Sequence, residues 1–144
     1  FLKADVFPKL ENAPAFLLKD LAGKEVAPSH FAGKWTFIDF WGTWCSPCVA
    51  ELPEFNSLYE KKYALMEDKL KILTISCYDR EADLKNFISK NKYSFPVLIS
   101  DGKVQSDYKI EGYPTKVLIS PEGKMIPIAF DQDWKSLVEE FVSL

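Results

Sequence analysis

The sequence predicts an α/β fold in which helices flank a central mixed β-sheet. Two nearly unbroken apolar runs, residues 36–41 and 70–78, are typical of strands buried on both faces. A helical pattern follows each run, and this alternation of strand and helix indicates parallel strands joined by a right-handed crossover. Further runs at 115–120 and 124–130 flank a Pro-Glu-Gly turn and predict an antiparallel hairpin, so the sheet contains both strand orientations.

Length and composition favour one globular domain and exclude several classes of function. The 144 residues are enough for one hydrophobic core and too few for two, and a hydrophobic content of 47% excludes a disordered chain. A net charge of −3 argues against nucleic acid or an anionic membrane as the main partner. No apolar run is long enough to span a bilayer. The chain begins at Phe1 without a basic and apolar leader, so we expect either a removed targeting segment or anchor, or a shortened chain.

The single domain (1–144) is expected to have three parts. These are a tether at 1–12, an N-terminal β-hairpin extension at 13–33 and a core at 34–144. Within the extension, short strands at 15–18 and 25–27 flank a glycine-containing turn. The core then begins with the first buried strand.

Apolar spacing predicts the helices of the core. A long helix follows the first buried strand, because apolar residues recur there at spacings of four, three, four and four: Cys48, Leu52, Phe55, Tyr59 and Tyr63. Pro53 lies inside this helix and should kink it. A second helix is predicted over 81–91, a short strand over 95–99 and a helical turn over 104–110. The last helix should begin after Asp131 or Asp133, either of which can act as its N-cap.

The strongest chemical signal is Cys45-Ser46-Pro47-Cys48, where the first buried strand gives way to the long helix. Unpaired N–H groups and the positive end of the helix dipole favour an anion at this position, and a thiolate is an anion. The position therefore predicts a lowered pKa and a nucleophilic Cys45, with Cys48 one turn later on the same face. Pro47 suits an early helical position, which needs no N–H donor.

Redox chemistry accounts for the cysteine pair better than three alternatives do. A structural disulfide that closes so short a loop would stabilise the fold little. A zinc site needs about four ligands, and the chain has only three cysteines and one histidine, so no metal is expected. The third alternative is that the two cysteines have this spacing by chance. The pair therefore favours thiol–disulfide exchange, in which the cysteines themselves are the only redox group.

Two further residues of the buried strands are informative. Asp39 places a carboxylate in the middle of the first strand, which is costly unless the group is satisfied or used. Burial should raise its pKa, and its position six residues before Cys45 favours a functional acid over a satisfied polar group or a water-exposed edge position. Cys77 ends the second strand and is expected to pack as a small hydrophobic residue.

The order of these motifs resembles the thioredoxin superfamily and, within it, the extracytoplasmic TlpA/ResA group of thiol–disulfide oxidoreductases. The resemblance covers about residues 13–143. It rests on the stretch Phe40-Trp41-Gly42-Thr43-Trp44-Cys45-Ser46-Pro47-Cys48, on Glu51-Leu52-Pro53, on the hairpins at 14–26 and 118–124, and on Gly112-Tyr113-Pro114-Thr115.

The resemblance implies a role for each site residue. Cys45 would attack the substrate to form a mixed disulfide, and Cys48 would resolve it. Asp39 matches the buried acid that helps deprotonate the resolving cysteine. Pro114 matches the family's cis-proline, which sets the Tyr113 backbone beside the disulfide for pairing with an extended substrate. The remaining expected residues are Trp44, Ser46 and Pro47 at the substrate-binding edge, and Asp79 as a second acid near the active site.

The sequence also departs from the family pattern. Many members of the TlpA/ResA group have Asn at the position of Asp39. Thioredoxins place a lysine near this acid on the next strand, and residues 72–78 contain none. Tyr113 is bulkier than the usual residue before the proline, which would narrow the choice of substrate.

The resemblance implies an enzyme that mainly reduces protein disulfides and is itself returned to its reduced form by an upstream electron donor. It places the protein outside the cytoplasm, periplasmic or membrane-tethered, although a cytoplasmic location stays open. One alternative is a thiol peroxidase of the peroxiredoxin type. That class has a proline and a Thr or Ser seven and three residues before the reactive cysteine, where this chain has Ile38 and Gly42. Another alternative is a thioredoxin-like binding domain of a larger protein.

Overall fold

The computed structural model describes residues 10–143, and these form seven strands and four α-helices. The strands are β1 (Leu18–Asp20), β2 (Glu25–Val26), β3 (Trp35–Trp41), β4 (Leu70–Ser76), β5 (Val97–Ile99), β6 (Thr115–Ile119) and β7 (Met125–Ile128). The helices are α1 (Ser46–Lys61), α2 (Glu81–Asn91), α3 (Val104–Asp107) and α4 (Trp134–Val142). Single 3₁₀ turns cover Pro28–Phe31 and Tyr63–Met66.

One mixed sheet contains all seven strands, in the order β2-β1-β5-β4-β3-β6-β7. Strand β3 is parallel to β4 on one side and antiparallel to β6 on the other. The N-terminal hairpin joins the same sheet, because β1 pairs antiparallel with β5. The predicted α/β fold with a mixed sheet and an N-terminal hairpin is therefore confirmed.

Strand β3 lies inside the sheet, and all seven of its residues are buried. Its side chains alternate between two hydrophobic clusters on the two faces of the sheet. Phe37 and Trp41 pack with residues of helix α1, whereas Ile38 and Phe40 pack in the opposite cluster. Each such side chain stabilises the fold by roughly 1.5–3 kcal/mol relative to exposure to water. This burial gives the cysteine loop a rigid starting point.

Helix α1 begins directly after Cys45, which is its N-cap, and it ends at Lys61. The predicted apolar face is present, since Leu52 and Phe55 are buried against the sheet. Tyr63 lies beyond the end of the helix, in the following 3₁₀ turn, but it is still buried.

The N-terminal strand starts later than the apolar pattern indicates. We predict it at 15–18, whereas β1 covers Leu18–Asp20. The Asp20 carboxylate accepts hydrogen bonds from the N–H groups of Ala22 and Lys24, so it closes the turn of the hairpin.

No helix within 10–143 is long and apolar enough to cross a membrane.

Most of the predicted tether, residues 1–9, lies outside the described residues. Of its described part, Glu11 accepts a hydrogen bond at its carbonyl from the N–H of Met125 (2.9 Å), and Asn12 forms a β-bridge with Lys124. Leu10 packs against the core. Residues 10–12 are therefore held against the β6–β7 hairpin.

Candidate active site

The two cysteines of the predicted pair form a disulfide at the start of helix α1. The Cα atoms of Cys45 and Cys48 are 5.2 Å apart, which is an ordinary separation for such a bond. The N–H of Cys48 donates a hydrogen bond to Cys45 Sγ (3.3 Å). A helix N-terminus therefore presents a donor to the sulfur predicted to be the nucleophile, an arrangement that stabilises a thiolate after reduction.

The loop that leads into the disulfide is hydrogen-bonded to residues at the end of strand β4 and directly after it. Asp79 accepts hydrogen bonds from both the N–H and the hydroxyl of Thr43, and a third from Ser76 Oγ (2.6 Å). Trp44 donates its indole N–H to the carbonyl of Cys77 (2.8 Å). Asp79 thus holds the backbone two residues before Cys45.

A buried charge cluster lies beneath the first turn of helix α1. Asp39 on β3 is only 3% exposed, and its direct cross-strand neighbour on β6 is Lys116. Lys116 Nζ lies 3.7 Å from Asp39 Oδ1 and donates hydrogen bonds to both carboxylate oxygens of Glu51 (2.8 and 3.2 Å). Since Glu51 is one turn after Cys48, the lysine connects Asp39 to the helix that carries the disulfide.

The cluster contains one cation and two carboxyl groups, so a single proton makes it neutral. Asp39 is the natural holder of that proton, because it is buried and its Oδ1 has no hydrogen-bond partner among the described residues. Burial raises the pKa of Asp39 from 3.8 to about 7; Lys116 lowers it and Glu51 raises it. The predicted rise in the pKa of Asp39 therefore agrees with its surroundings, and the acid can change charge near neutral pH.

The edge beside the disulfide carries the remaining predicted residues. The peptide bond between Tyr113 and Pro114 is cis. Ser46 and Pro47 are exposed, and 52% of Trp44 is exposed. The rings of Trp44 and Tyr113 are 5.4 Å apart in an edge-to-face arrangement. Trp44, Ser46 and Pro47 are therefore exposed around the start of helix α1, Tyr113 is half-buried against Trp44, and Pro114 is buried.

Comparison with known proteins agrees with this geometry. The model of the AhpC/TSA family matches residues 10–128. The chain is 34% identical to the thiol-disulfide oxidoreductase ResA of Bacillus thuringiensis subsp. konkukian over 143 residues, which are 99% of this chain and 81% of that protein. The chain belongs to the ResA-like thiol–disulfide oxidoreductases of the AhpC/TSA family. The predicted resemblance and the predicted enzyme class are confirmed.

Solved structures of a thiol-disulfide oxidoreductase and of a thioredoxin share the architecture. The thioredoxin domain of a thiol-disulfide oxidoreductase from Bacteroides vulgatus has a TM-score of 0.78 at 31% identity, covering 92% of this chain and 96% of that one. The exposed lipoprotein thioredoxin Etrx1 from Streptococcus pneumoniae has a TM-score of 0.76 at 28% identity, covering 91% and 100%.

In this ResA-like chain the lysine beside Asp39 lies on a different strand from the one that thioredoxins use. Lys71 of β4 lies opposite Thr36 and donates to Glu67, and residues 72–78 contain no lysine. Lys116 instead approaches Asp39 from β6, on the other side of β3. Both neighbours of a central strand can deliver a side chain to it, and the hairpin strand does so here. The acid therefore has a cationic partner, although not the one expected by analogy with thioredoxins.

Three residues near the site were not assigned a role from the sequence. Glu51 belongs to the quoted family motif, but nothing in that motif indicates its lysine partner. Lys116 could be found only from the register of β6 against β3. Tyr78, 72% exposed, has its ring 6.2 Å from that of Trp44 and 6.1 Å from that of Tyr113, and no sequence signal predicts this.

Cys77 is fully buried, in agreement with the expectation that it packs as a hydrophobic residue. Burial raises the pKa of its thiol to about 11, so the thiol is protonated at neutral pH. Within residues 10–143, no group of three or more His, Cys, Asp or Glu residues is arranged to hold a metal ion.

Proposed function

We propose that this thiol–disulfide oxidoreductase acts mainly as a reductant of protein disulfides through a mixed disulfide on Cys45. The observation that carries the proposal is the Cys45–Cys48 disulfide at the N-terminus of α1, beside a buried acid that titrates near neutrality. Its partners would be protein disulfides on one side and an upstream electron donor on the other.

The first step uses the reduced enzyme. The Cys45 thiolate attacks one sulfur of the substrate disulfide, and the other substrate sulfur leaves as a thiolate that takes a proton from solvent. In the second step the Cys48 thiolate attacks Cys45 Sγ, so the Cys45–Cys48 disulfide forms and the second substrate sulfur leaves. The substrate gains two electrons and two protons, and the enzyme loses them. A donor dithiol then returns the enzyme to its reduced state.

Asp39 serves the second step as the proton acceptor for Cys48. An acid with a pKa of about 7 can take a proton at neutral pH and give it up again, which an ordinary carboxylate would do poorly. Lys116 and Glu51 connect this buried acid with the surface, since the Glu51 side chain is 39% exposed. A cavity of about 110 Å³ is lined in part by the same two residues, which gives water a route towards the cluster.

The substrate would bind along the edge formed by Trp44, Tyr113 and Pro114, with Ser46 and Pro47 completing the surface. An extended segment of the substrate would pair with the backbone at Tyr113, which brings its cysteine to the disulfide. Asp79 supports this edge through Thr43 and does not itself handle protons in the proposed mechanism.

The mixed disulfide gives the sharpest test of the proposal. A Cys48→Ala variant should accumulate a covalent adduct with a disulfide substrate, released by dithiothreitol, and a Cys45→Ala variant should form none. An adduct that forms equally on both variants, or on neither, would contradict the proposed mechanism. If Cys48→Ala binds partners normally without any adduct, a binding domain explains the chain better.

The direction of transfer is tested by the reduction potential of the pair. A value near about −270 mV, as in thioredoxin, supports a reductant, whereas one near about −120 mV marks an oxidant. Trp44 fluorescence reports the redox state during equilibration with thiol buffers. A peroxide-consumption assay separates the enzyme from a peroxiredoxin, and we expect no consumption above that of exposed thiols.

We also propose that the protein works outside the cytoplasm. The support is its ResA-like family and its likeness to an exposed lipoprotein thioredoxin. Fractionation of the native host, followed by detection of the protein in the extracytoplasmic fraction, tests this location.

A further inference from the structure

Tyr78 is an exposed aromatic residue with an unusual backbone conformation. Its φ is +61°, in the left-handed region that a bulky residue seldom adopts. Its side chain is 72% exposed, so burial does not compensate for this conformation. Residues in such conformations cluster at functional sites.

The Tyr78 ring completes a group of three aromatic side chains beside the disulfide, which we name the aromatic trio: Trp44, Tyr78 and Tyr113. All three ring pairs meet edge to face, with centroids 5.4–6.2 Å apart. Trp44 directly precedes Cys45, and Tyr113 directly precedes the cis-proline. The trio is therefore continuous with both parts of the proposed substrate edge.

The single polar atom of the Trp44 side chain is already engaged within the protein. The Trp44 indole N–H is donated to the carbonyl of Cys77. Burial, with the neighbouring Cys77 thiol and Tyr78, raises the pKa of the Tyr113 hydroxyl. What Trp44 presents to solvent is therefore carbon, and an apolar side chain can cover it without losing hydrogen bonds.

The charges around the trio favour an apolar ligand over a cationic one. Arg80 follows within two residues of Tyr78, and its Nε is ion-paired with the carboxylate of Asp83 (3.4 Å). The carboxylate of Asp79 already accepts three hydrogen bonds from Thr43 and Ser76. Both of these carboxylates are therefore already engaged, so an incoming lysine or arginine would have to displace one of their partners.

We propose that Tyr78 is a specificity-determining residue, and that the aromatic trio selects substrate segments with a large apolar or aromatic side chain next to the reacting cysteine. This inference rests on the proposed function, because it assigns a substrate class to the same site. The left-handed backbone of residue 78 is the feature that brings the third ring over Trp44.

The test compares three disulfide-linked octapeptide homodimers that have Phe, Gly or Arg on both sides of their cysteine. Pre-reduced enzyme is mixed with excess peptide, and its oxidation is followed by tryptophan fluorescence. The dependence of the rate on peptide concentration gives the second-order rate constant. The wild-type protein should reduce the Phe peptide roughly three- to tenfold faster than the Gly peptide, the size expected of one aromatic contact. Tyr78→Asn should remove most of this preference, because its rate with the Phe peptide should fall towards its rate with the Gly peptide.

Stability measurements separate recognition from folding. Asn tolerates the left-handed region, so Tyr78→Asn should be at least as stable as the wild type in urea. Tyr78→Phe keeps the ring and should keep the preference for the Phe peptide. Leu65, 78% exposed and in the Tyr63–Met66 turn, provides a matched control, because Leu65→Asn removes an exposed apolar side chain elsewhere and should not alter the peptide ratio.

Four results would overturn the inference or its basis. Equal wild-type rates with the Phe and Gly peptides would contradict it and leave the proposed function intact. A faster reaction with the Arg peptide would show that the surface selects cations. Retention of the preference in Tyr78→Asn would show that Tyr78 does not determine it. A wild-type protein that reduces none of the peptides would contradict the proposed function itself.

Discussion

The substitution Asp39→Asn tests the buried carboxylate through the pH dependence of protein stability. Because burial raises the pKa of Asp39 from 3.8 to about 7, the folded protein holds a proton that the unfolded chain has lost across this range. A state that binds more protons is favoured at lower pH, so this group lowers the stability of the fold as pH rises from about 4 to 7. Asn does not titrate, so the variant has no such loss.

The size of this loss in stability follows from the pKa values of Asp39 in the unfolded and folded states. At 1.36 kcal/mol per pH unit, the full loss above pH 7 is about 4 kcal/mol, of which about 3 kcal/mol falls between pH 5 and pH 8. The free energy of unfolding of the wild type, relative to Asp39→Asn, should therefore decrease by about this amount between these pH values. Urea denaturation of the two oxidised proteins measures it. A difference between the proteins that stays constant with pH would refute the assignment.

The same variant should slow the second chemical step. A positioned general base typically contributes on the order of 10²–10⁴-fold, so release of the second substrate thiol should be at least about 100-fold slower near pH 7. The mixed disulfide on Cys45 should then persist, and its decay should lose the inflection near pH 7 that wild-type Asp39 provides. The first attack by Cys45 serves as the internal control, because the proposed role of Asp39 concerns Cys48. An unchanged inflection in the variant would place the titrating group elsewhere.

Two further variants probe the surroundings of the site. Lys116→Met removes the cation that lowers the pKa of Asp39, so the inflection assigned to Asp39 should move above pH 7. An NMR titration or the pH profile of the rate measures this shift. An unchanged inflection would show that the ion pair does not control the pKa of Asp39. Gly42→Ala places a Cβ atom against the indole of Trp44 and 2.9 Å from the carbonyl oxygen of Cys77. The free energy of unfolding should therefore fall by about 1–3 kcal/mol, and the fluorescence of Trp44 should change. Gly112→Ala is the matched control, because a Cβ there meets nothing within 4 Å; equal losses in both variants would contradict the packing argument.

The parts of the site that follow from local sequence were predictable. An apolar run that ends in a turn before a helical pattern places Cys45 at a helix N-terminus, whatever the rest of the chain does. The structure has Cys45 as the N-cap of α1 and Asp39 in a fully buried strand, as these patterns indicate. Both features depend on periodicities of a few residues, which the sequence displays directly.

The features that the sequence did not reveal depend on long-range register or on backbone conformation. Lys116 faces Asp39 only because β6 pairs with β3 in one particular register, and a shift by one residue would turn the lysine to the opposite face. Tyr78 has a positive φ two residues after the end of β4, and a tyrosine in a sequence carries no signal for this conformation. Strand β1 likewise starts where β5 can pair with it.

The proposed role of Asp39 would account for an energetically unfavourable carboxyl group in the central strand. Replacing a buried ion pair with apolar residues is often neutral or stabilising, so the fold alone gives no reason to retain Asp39. Ionising either Cys48 or Asp39 alone would add a negative charge to a region of low dielectric constant. Transfer of a proton from Cys48 to an ionised Asp39 leaves the net charge unchanged, and Lys116 stays paired with Glu51 throughout. In the proposed mechanism, the cluster would therefore allow the buried Cys48 thiol to become a nucleophile without a change in net buried charge.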